Sequence, residues 1–229
     1  AVGESVARHI DAGTVGRDDL FLQTKFTHLG GQDERLPYDP RAPVGEQVRQ
    51  SFAKSLEHLR TDRVDSYVLH GPSLRVGLAD EDWEAWRAME ALFGEGRIGA
   101  LGVSNVSHAQ LALLLESATV KPRYVQNRCY ASAGWDARVR DICRNHDITY
   151  QGFSLLTANR AVWSGGAVAD LATSHGLTPA QVIFCLSLEL DMLPLTGTGD
   201  PDHMAIDLAC RRGVLTPGEV EALEGIGVG

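Results

Sequence analysis

Strand-like apolar runs alternate with helix-like periodicities along the whole 229-residue chain, and the runs close in small or polar residues. These two observations predict an α/β fold of the TIM-type (β/α)8 barrel class, with six of eight βα units visible. The closing stretches are QTKF, YVLHGP, GVSN, YVQN, GFSLL and LPLTGT. In a parallel barrel the strand ends and the loops after them share one face, so residues far apart in sequence converge there. With 44% hydrophobic residues the chain can bury one sizeable core, and neither disorder nor a fibrous repeat fits. A single domain over residues 1–229 is expected.

The elements follow in order. Residues 2–12 read as an amphipathic helix closed by Gly13, and LFLQTKF, residues 20–26, as the strand after it. A polar loop spans residues 28–43. Val44, Val48, Phe52, Leu56 and Leu59 then recur at three- and four-residue steps, marking one apolar helix face, and VDSYVLH supplies the next strand. Trp83, Trp86, Met89 and Phe93 repeat the helical spacing until Gly94 stops it, with the two tryptophans read as core. The strand IGALGV follows, and Ser107 can cap the helix carrying AQLALLLE. Residues 124–126 form a short strand, residues 136–146 a helix, and ITYQGF another strand. Thr178 with Gln181, and Thr216 with Glu219, fit capping boxes, each with proline at the first helical position. The last strand, MLPLTGT, runs between those two helices. The count falls two strands short at the front, where the chain opens inside a helix, so two sheet edges would be exposed and could pair with another copy.

A formal net charge of −9 disfavours a broad nucleic-acid footprint, although a local patch for a phosphorylated small molecule is compatible with it. Cys129, Cys143, Cys185 and Cys210 show no metal-ligand spacing, and Cys185 lies in the apolar run VIFCLSL; reduced core thiols and a cytoplasmic setting are expected. No apolar stretch reaches the roughly 20 residues of a membrane span, and the first residues read as a helix rather than a secretory signal.

Two polar residues stand out. Lys25, one of three lysines, ends a largely apolar strand, where desolvation lowers an ammonium's pKa and suits it to act on a neighbouring group. His70 ends the next strand, and parallel neighbours lie about 4.8 Å apart, so the imidazole and the ammonium can meet at one rim. Each alone also reads as a snorkelling lysine or a satisfied core histidine. Ser104, Asn105, Gln126 and Asn127 offer uncharged donors and acceptors suited to a flat amide-bearing ring, with turn and capping duty as the plainer reading of the first two. Phe153 offers a flat aromatic face. Thr196, Gly197 and Thr198 lead into a helix starting near Asp202, an entrance where backbone N–H groups can approach a phosphate. GxGxxG is absent, so nothing suggests a Rossmann nucleotide site.

Taken together, the block VRQSFAKSLEHLRTDRVDSYVLHGP and the later GVSN, VQN, GFSLL and LPLTGTGDPDHM resemble the aldo-keto reductase family, NAD(P)H-dependent carbonyl reductases on a (β/α)8 barrel. The resemblance implies that Lys25 and His70 are catalytic, the lysine lowering the pKa of a tyrosine acid and the histidine orienting the substrate carbonyl. It implies that Ser104, Asn105 and Gln126 hold the nicotinamide carboxamide, that Phe153 stands where a tyrosine usually stacks on the ring, and that Ser154, Leu156, Thr196, Gly197, Thr198 and His203 complete the cofactor site. The family's tyrosine and its aspartate partner lie before the helix that here begins AVGESV and have no matching position. Tyr38, on the long loop, is the least unsuited substitute among the five tyrosines. At the adenosine end, Leu195 and His203 stand where many members carry lysine and arginine; NADP(H) is expected over NAD(H). The expected function is reduction of a small-molecule aldehyde or ketone, impaired or lost in this chain alone. The alternative is a noncatalytic cofactor-binding or scaffold relative that lost the acid. Loop residues 28–43 and 71–82 would shape the substrate pocket, no membrane or nucleic-acid partner is expected, and a homo-oligomer through the open sheet edges is conceivable.

Overall fold

Three parallel strands organise the first part of the chain. The computed structural model describes residues 1–227, whose contacts divide into two units, Ala1–Tyr124 and a second beginning at Val125. In the first, helix α1 (Val2–Asp11) precedes β1 (Gln23–Phe26), α2 (Val44–Leu59), β2 (Val64–Leu69), α3 (Asp80–Gly94), β3 (Ile98–Ser104) and α4 (His108–Ser117). The strands lie in chain order, with Lys25 opposite Val68 and Leu69 opposite Val103. The apolar stripe read from α2 is real: Val48, Phe52 and Leu56 are buried against a core that holds Phe26, Tyr67, Trp86 and Met89. Trp86 is core, as its spacing suggested, and its indole N–H donates to the Val120 carbonyl.

Several boundaries differ from the sequence reading, among them the last strand, read as MLPLTGT but a strand only over Met192–Pro194. The strand ladder begins at Gln23 and not at residue 20, because the Leu22 N–H is taken by the Asp65 carboxylate, which also holds Arg17 at 3.0 Å. Gly94 remains helical, and Gly96, at φ +75°, makes the reversal after α3. A left-handed φ is sterically open only to glycine at little cost, so the stop signal sits two residues later than the periodicity implied. Gly13, at φ +67°, does close α1 as expected.

The second unit contains β4 (Tyr124–Arg128, its first residue being the last of the first unit), α5 (Ala137–Asn145), β5 (Thr149–Phe153), α6 (Arg160–Trp163), α7 (Gly166–His175), α8 (Pro179–Glu189), β6 (Met192–Pro194), α9 (Pro201–Leu208) and α10 (Pro217–Glu224). β5 lies between β4 and β6 and pairs in parallel with β6, Gly152 opposite Pro194. Both capping boxes form: Thr178 accepts from the Gln181 N–H and Thr216 from the Glu219 N–H, each glutamine or glutamate returning the bond. The sequence reading passed over α6 and α7. Helix α7 has a glycine at its cap and only Val168 and Ala172 buried, so neither a capping side chain nor an apolar stripe announces it. Cys129 and Cys143 are buried free thiols, and burial pushes both up to about 12. Among the described residues no helix is long and apolar enough to cross a membrane.

Candidate active site

The parallel ladder delivers Lys25 and His70 to one rim of the first unit. His70 directly follows β2, and its backbone N–H donates to the Phe26 carbonyl at 2.8 Å, one residue beyond Lys25. Burial lowers the pKa of the half-buried Lys25 ammonium. His70 is lowered as well, first by burial and then by the Lys25 charge, although its ring still reaches solvent. A cation at the neighbouring strand end disfavours protonation of the imidazole, which is the sense of that second cause.

His70 is held at two points: its ring Nδ1 is 2.8 Å from the Thr27 hydroxyl, and its backbone carbonyl accepts from the Asn105 side-chain amide at 2.8 Å. Asn105 reaches back because it adopts φ +51°, a conformation asparagine tolerates better than most residues. The same amide lies 3.2 Å from the hydroxyl of Ser104, which is fully buried. Thr27 escaped the sequence reading, since nothing local marks a threonine after a strand as the partner of a histidine 43 positions on. Tyr38 turns out to be a brace. Its hydroxyl donates to the Thr27 carbonyl at 2.7 Å, its ring packs on Phe26, and burial raises its pKa, so it is poorly suited to deliver a proton.

Beside His70 opens a cavity of about 660 Å³ whose wall includes Thr27, His28, Gln47, Ser73, Glu81 and Asn105. Below it Asp82, 2% exposed, accepts from the Ser73 N–H and hydroxyl and from the Ala79 N–H. Burial works to raise the Asp82 pKa, but the His28 ring and those N–H donors outweigh it and hold the carboxyl below its ordinary value. The His28 Nε2 stands 3.1 Å from Asp82 Oδ1, out of line for a hydrogen bond, and has no other partner.

The remaining site residues belong to the second unit. The buried Gln126 amide donates to Gln151 Oε1 at 2.9 Å. Phe153 ends β5 half-buried, and Ser154 turns the chain at φ +57°. Ser154, Leu156, Thr196 and Gly197 are brought together around a cavity of about 220 Å³, walled also by Phe184 and Leu195. This gathering follows from the β5·β6 pairing, which the Leu195 N–H extends by donating to the Gly152 carbonyl at 2.8 Å. The entrance of α9 is a different matter. The Asp200 carboxylate already accepts from the N–H groups of Asp202 and His203, Thr198 accepts from the Asp200 N–H, and Thr196 donates to Asp207 at 2.5 Å. His203 itself is exposed. The helix end read as an anion seat is therefore capped by the chain's own carboxylate.

Parallel strands in chain order, helices between them and a polar rim at the strand ends define an α/β fold of the βα-barrel class. The aldo/keto reductase family model matches residues 1–162, and the chain belongs to that family, whose members reduce carbonyls with nicotinamide cofactors. It is 28% identical over 222 residues to an aldo-keto reductase of Mycobacterium avium (strain 104), covering 97% of this chain and 72% of that protein. It is 30% identical over 188 residues to the uncharacterized oxidoreductase YtbE of Bacillus subtilis (strain 168), covering 82% of this chain and 60% of that protein. Among solved structures, the aldo-keto reductase MGS-M4 from a Medee basin deep-sea metagenome library superposes with a TM-score of 0.82 at 21% identity, covering 99% of this chain and 78% of that one. The silkworm (Bombyx mori) aldo-keto reductase AKR2E5, solved also in complex with NADPH, gives 0.83 at 22% identity, covering 100% and 70%. Both likenesses bear out the barrel fold class.

Proposed function

We propose that this chain reduces an aldehyde or ketone with NAD(P)H and that Lys25 and His70 form the reacting end of its site. The observation that carries the reading is the arrival of ammonium and imidazole at adjacent strand ends, where burial lowers both pKa values and the Lys25 charge lowers that of His70 further. When bound, the cofactor supplies a hydride to the carbonyl carbon. The chain's own task is to meet the negative charge that grows on the carbonyl oxygen, and a preorganised donor beside a cation does so without reorganisation. With His70 Nδ1 engaged by Thr27, Nε2 is the nitrogen left for that oxygen. A Thr27 hydroxyl that donates to Nδ1 puts the ring hydrogen on Nε2, and the lowered pKa keeps the imidazole neutral at neutral pH, so it orients the oxygen as a donor.

The residues fit the cofactor. Ser104 and Asn105 place a hydroxyl and an amide next to His70, chemistry suited to a carboxamide. Gln126 and Phe153, in the second unit, are assigned to cofactor binding from the resemblance alone. Around the cavity that Ser154, Leu156, Thr196 and Gly197 surround, the Ser154 hydroxyl and the Gly197 backbone are assigned to phosphate oxygens, the Thr196 hydroxyl hydrogen being spent on Asp207. Thr198 and His203 are assigned to the ribose end. NADP(H) remains the proposed form, supported by His203 and opposed by Asp200 and Asp207, so the preference is small. The substrate is a small-molecule carbonyl compound. Four free thiols fit a cytoplasmic setting.

The Tyr38 hydroxyl on the neighbouring loop is bonded to the Thr27 carbonyl, and we assign the proton supplied to the carbonyl oxygen to His70. A positioned acid typically contributes about 10²–10⁴-fold, and turnover by this chain is proposed to be slower by that factor. The spent Tyr38 hydroxyl also favours a second reading, a cofactor-binding relative without catalysis. Oxidation of NADPH with a reactive aldehyde, read beside fluorescence titration of NADPH, separates the two. Slow turnover abolished by His70→Ala is the expected result; binding without turnover supports the second reading, and turnover unchanged in His70→Ala overturns the assignment of His70.

A further inference from the structure

We propose that Cys185 and Cys210 are a dithiol that closes reversibly to a disulfide, with a low-molecular-weight disulfide as oxidant, and thereby pins α9 to α8. The proposal stands apart from the reductase reading. Cys185 lies within α8 and is 1% exposed, whereas Cys210 follows the Ala209 cap of α9 and is half-buried. The Cys210 Sγ lies 4.0 Å from the carbonyl oxygen of Gln181, one turn before Cys185 on the same face of α8, and the two thiols are hydrogen-bonded to each other. Gln181 ties the same helices together, its amide donating to the Ile206 carbonyl at 3.2 Å. Otherwise the Cys210 thiol makes only long contacts, at 3.8 and 4.0 Å, to the Ile206 and Gln181 carbonyls. Little therefore opposes its approach to the bond length of about 2.05 Å.

Access is one-sided. Cys210 lines a cavity of about 490 Å³ with Phe184, Leu188, Met204 and Leu208, while Cys185 is covered, so the oxidant meets Cys210 first. The Cys210 thiolate attacks one sulfur of the oxidant, forming a mixed disulfide and releasing one thiol. Cys185 then gives up its proton and attacks Cys210 Sγ, forming the Sγ–Sγ bond and releasing the second thiol. Two electrons pass from the protein to the oxidant, and the two protons end on the released thiols. Burial, the Cys185 thiol and the Asp207 charge raise the Cys210 pKa, which slows the exchange at neutral pH and speeds it in base. The loop so closed contains β6, the stretch from Thr196 to His203 and α9.

The test treats the folded chain with bis(hydroxyethyl) disulfide at about pH 8.5, near the ordinary thiol pKa, and reads mass and hydrogen exchange. Trypsin with cyanogen bromide leaves residues 161–192 with Cys185 as their only cysteine and residues 205–211 with Cys210 as theirs. The expected result is the loss of two hydrogens from the chain and a link between those two peptides that dithiothreitol breaks. In the linked form the α9 amides should exchange at least about tenfold more slowly, because a crosslink restricts the opened states through which they exchange. Cys210→Ser and Cys185→Ser should each abolish the link, the first from the open side and the second from the buried one. A mixed disulfide that persists on Cys210, a link to Cys129 or Cys143 instead, no reaction of the folded chain, or α9 amides that exchange as before overturns the proposal.

Discussion

Lys25 and His70 act on each other through charge, and the sign of that coupling is measurable. An ammonium next to an imidazole disfavours its protonation, so Lys25→Met should raise the His70 pKa toward the ordinary histidine value while burial still holds part of the depression. Titration of the His70 ring protons by NMR checks this; a pKa that falls or stays fixed in Lys25→Met would place the two groups apart in solution. The linkage to folding runs the same way. With its folded pKa lowered, His70 binds fewer protons than the unfolded chain just below the ordinary value of about 6.5, so its contribution weakens stability as pH falls through that window and is absent above it. Asp82 is also lowered, but as an acid, so its contribution is full above its unfolded value and fades as pH falls toward the folded one.

Among elements, the end of α3 separates two glycines that look alike in sequence. Gly94 is helical with open space where a Cβ would stand, whereas Gly96 holds φ +75°. Gly94→Ala is expected to stabilise by up to about 1 kcal/mol through helix propensity. Gly96→Ala is expected to destabilise by about 1–2 kcal/mol, the cost of an L-residue in the left-handed region. Urea denaturation of both variants decides, and equal shifts would mean that the turn is placed wrongly. Packing of α1 depends on a third glycine: a Cβ on Gly3 would come 2.1 Å from the His58 carbonyl oxygen, so this helix sits against the end of α2 only because the side chain is missing.

For the chain as a whole, the proposed choice between NADPH and NADH turns on the residues around α9. Leu195 and His203 occupy positions where the family resemblance implies two cations; the Asp200 carboxylate accepts from the His203 N–H, and Asp207, on α9, accepts from Thr196 next to Leu195. A 2′-phosphate gains little there. Dissociation constants for NADPH and NADH should accordingly lie within about tenfold of each other, roughly 1.4 kcal/mol, by fluorescence titration at fixed ionic strength. A hundredfold preference for NADPH would mean that cations from elsewhere reach the phosphate and would remove the argument from Asp200 and Asp207.

Much of this was written locally. The helical steps from Val44 to Leu56, the two capping boxes, the order of strands and helices, and the placement of Lys25 and His70 at strand ends all follow from short-range periodicity and steric rules, which any stretch carries within itself. Helix α7 was illegible because its cap and its stripe are both weak. The partnerships were another matter: Thr27 with His70, Tyr38 with the Thr27 carbonyl, Asp82 with Ser73 beneath His28, and Asp200 closing α9. Thr27 meets His70 across 43 positions, and the shorter-range contacts of Tyr38 and Asp82 depend on loop turns and side-chain directions set by packing, a geometry that residue types and spacing do not encode. The sequence by itself determined which polar groups arrive at the rim; the tertiary structure decided which of them are already bonded, and hence which atoms remain to meet a substrate.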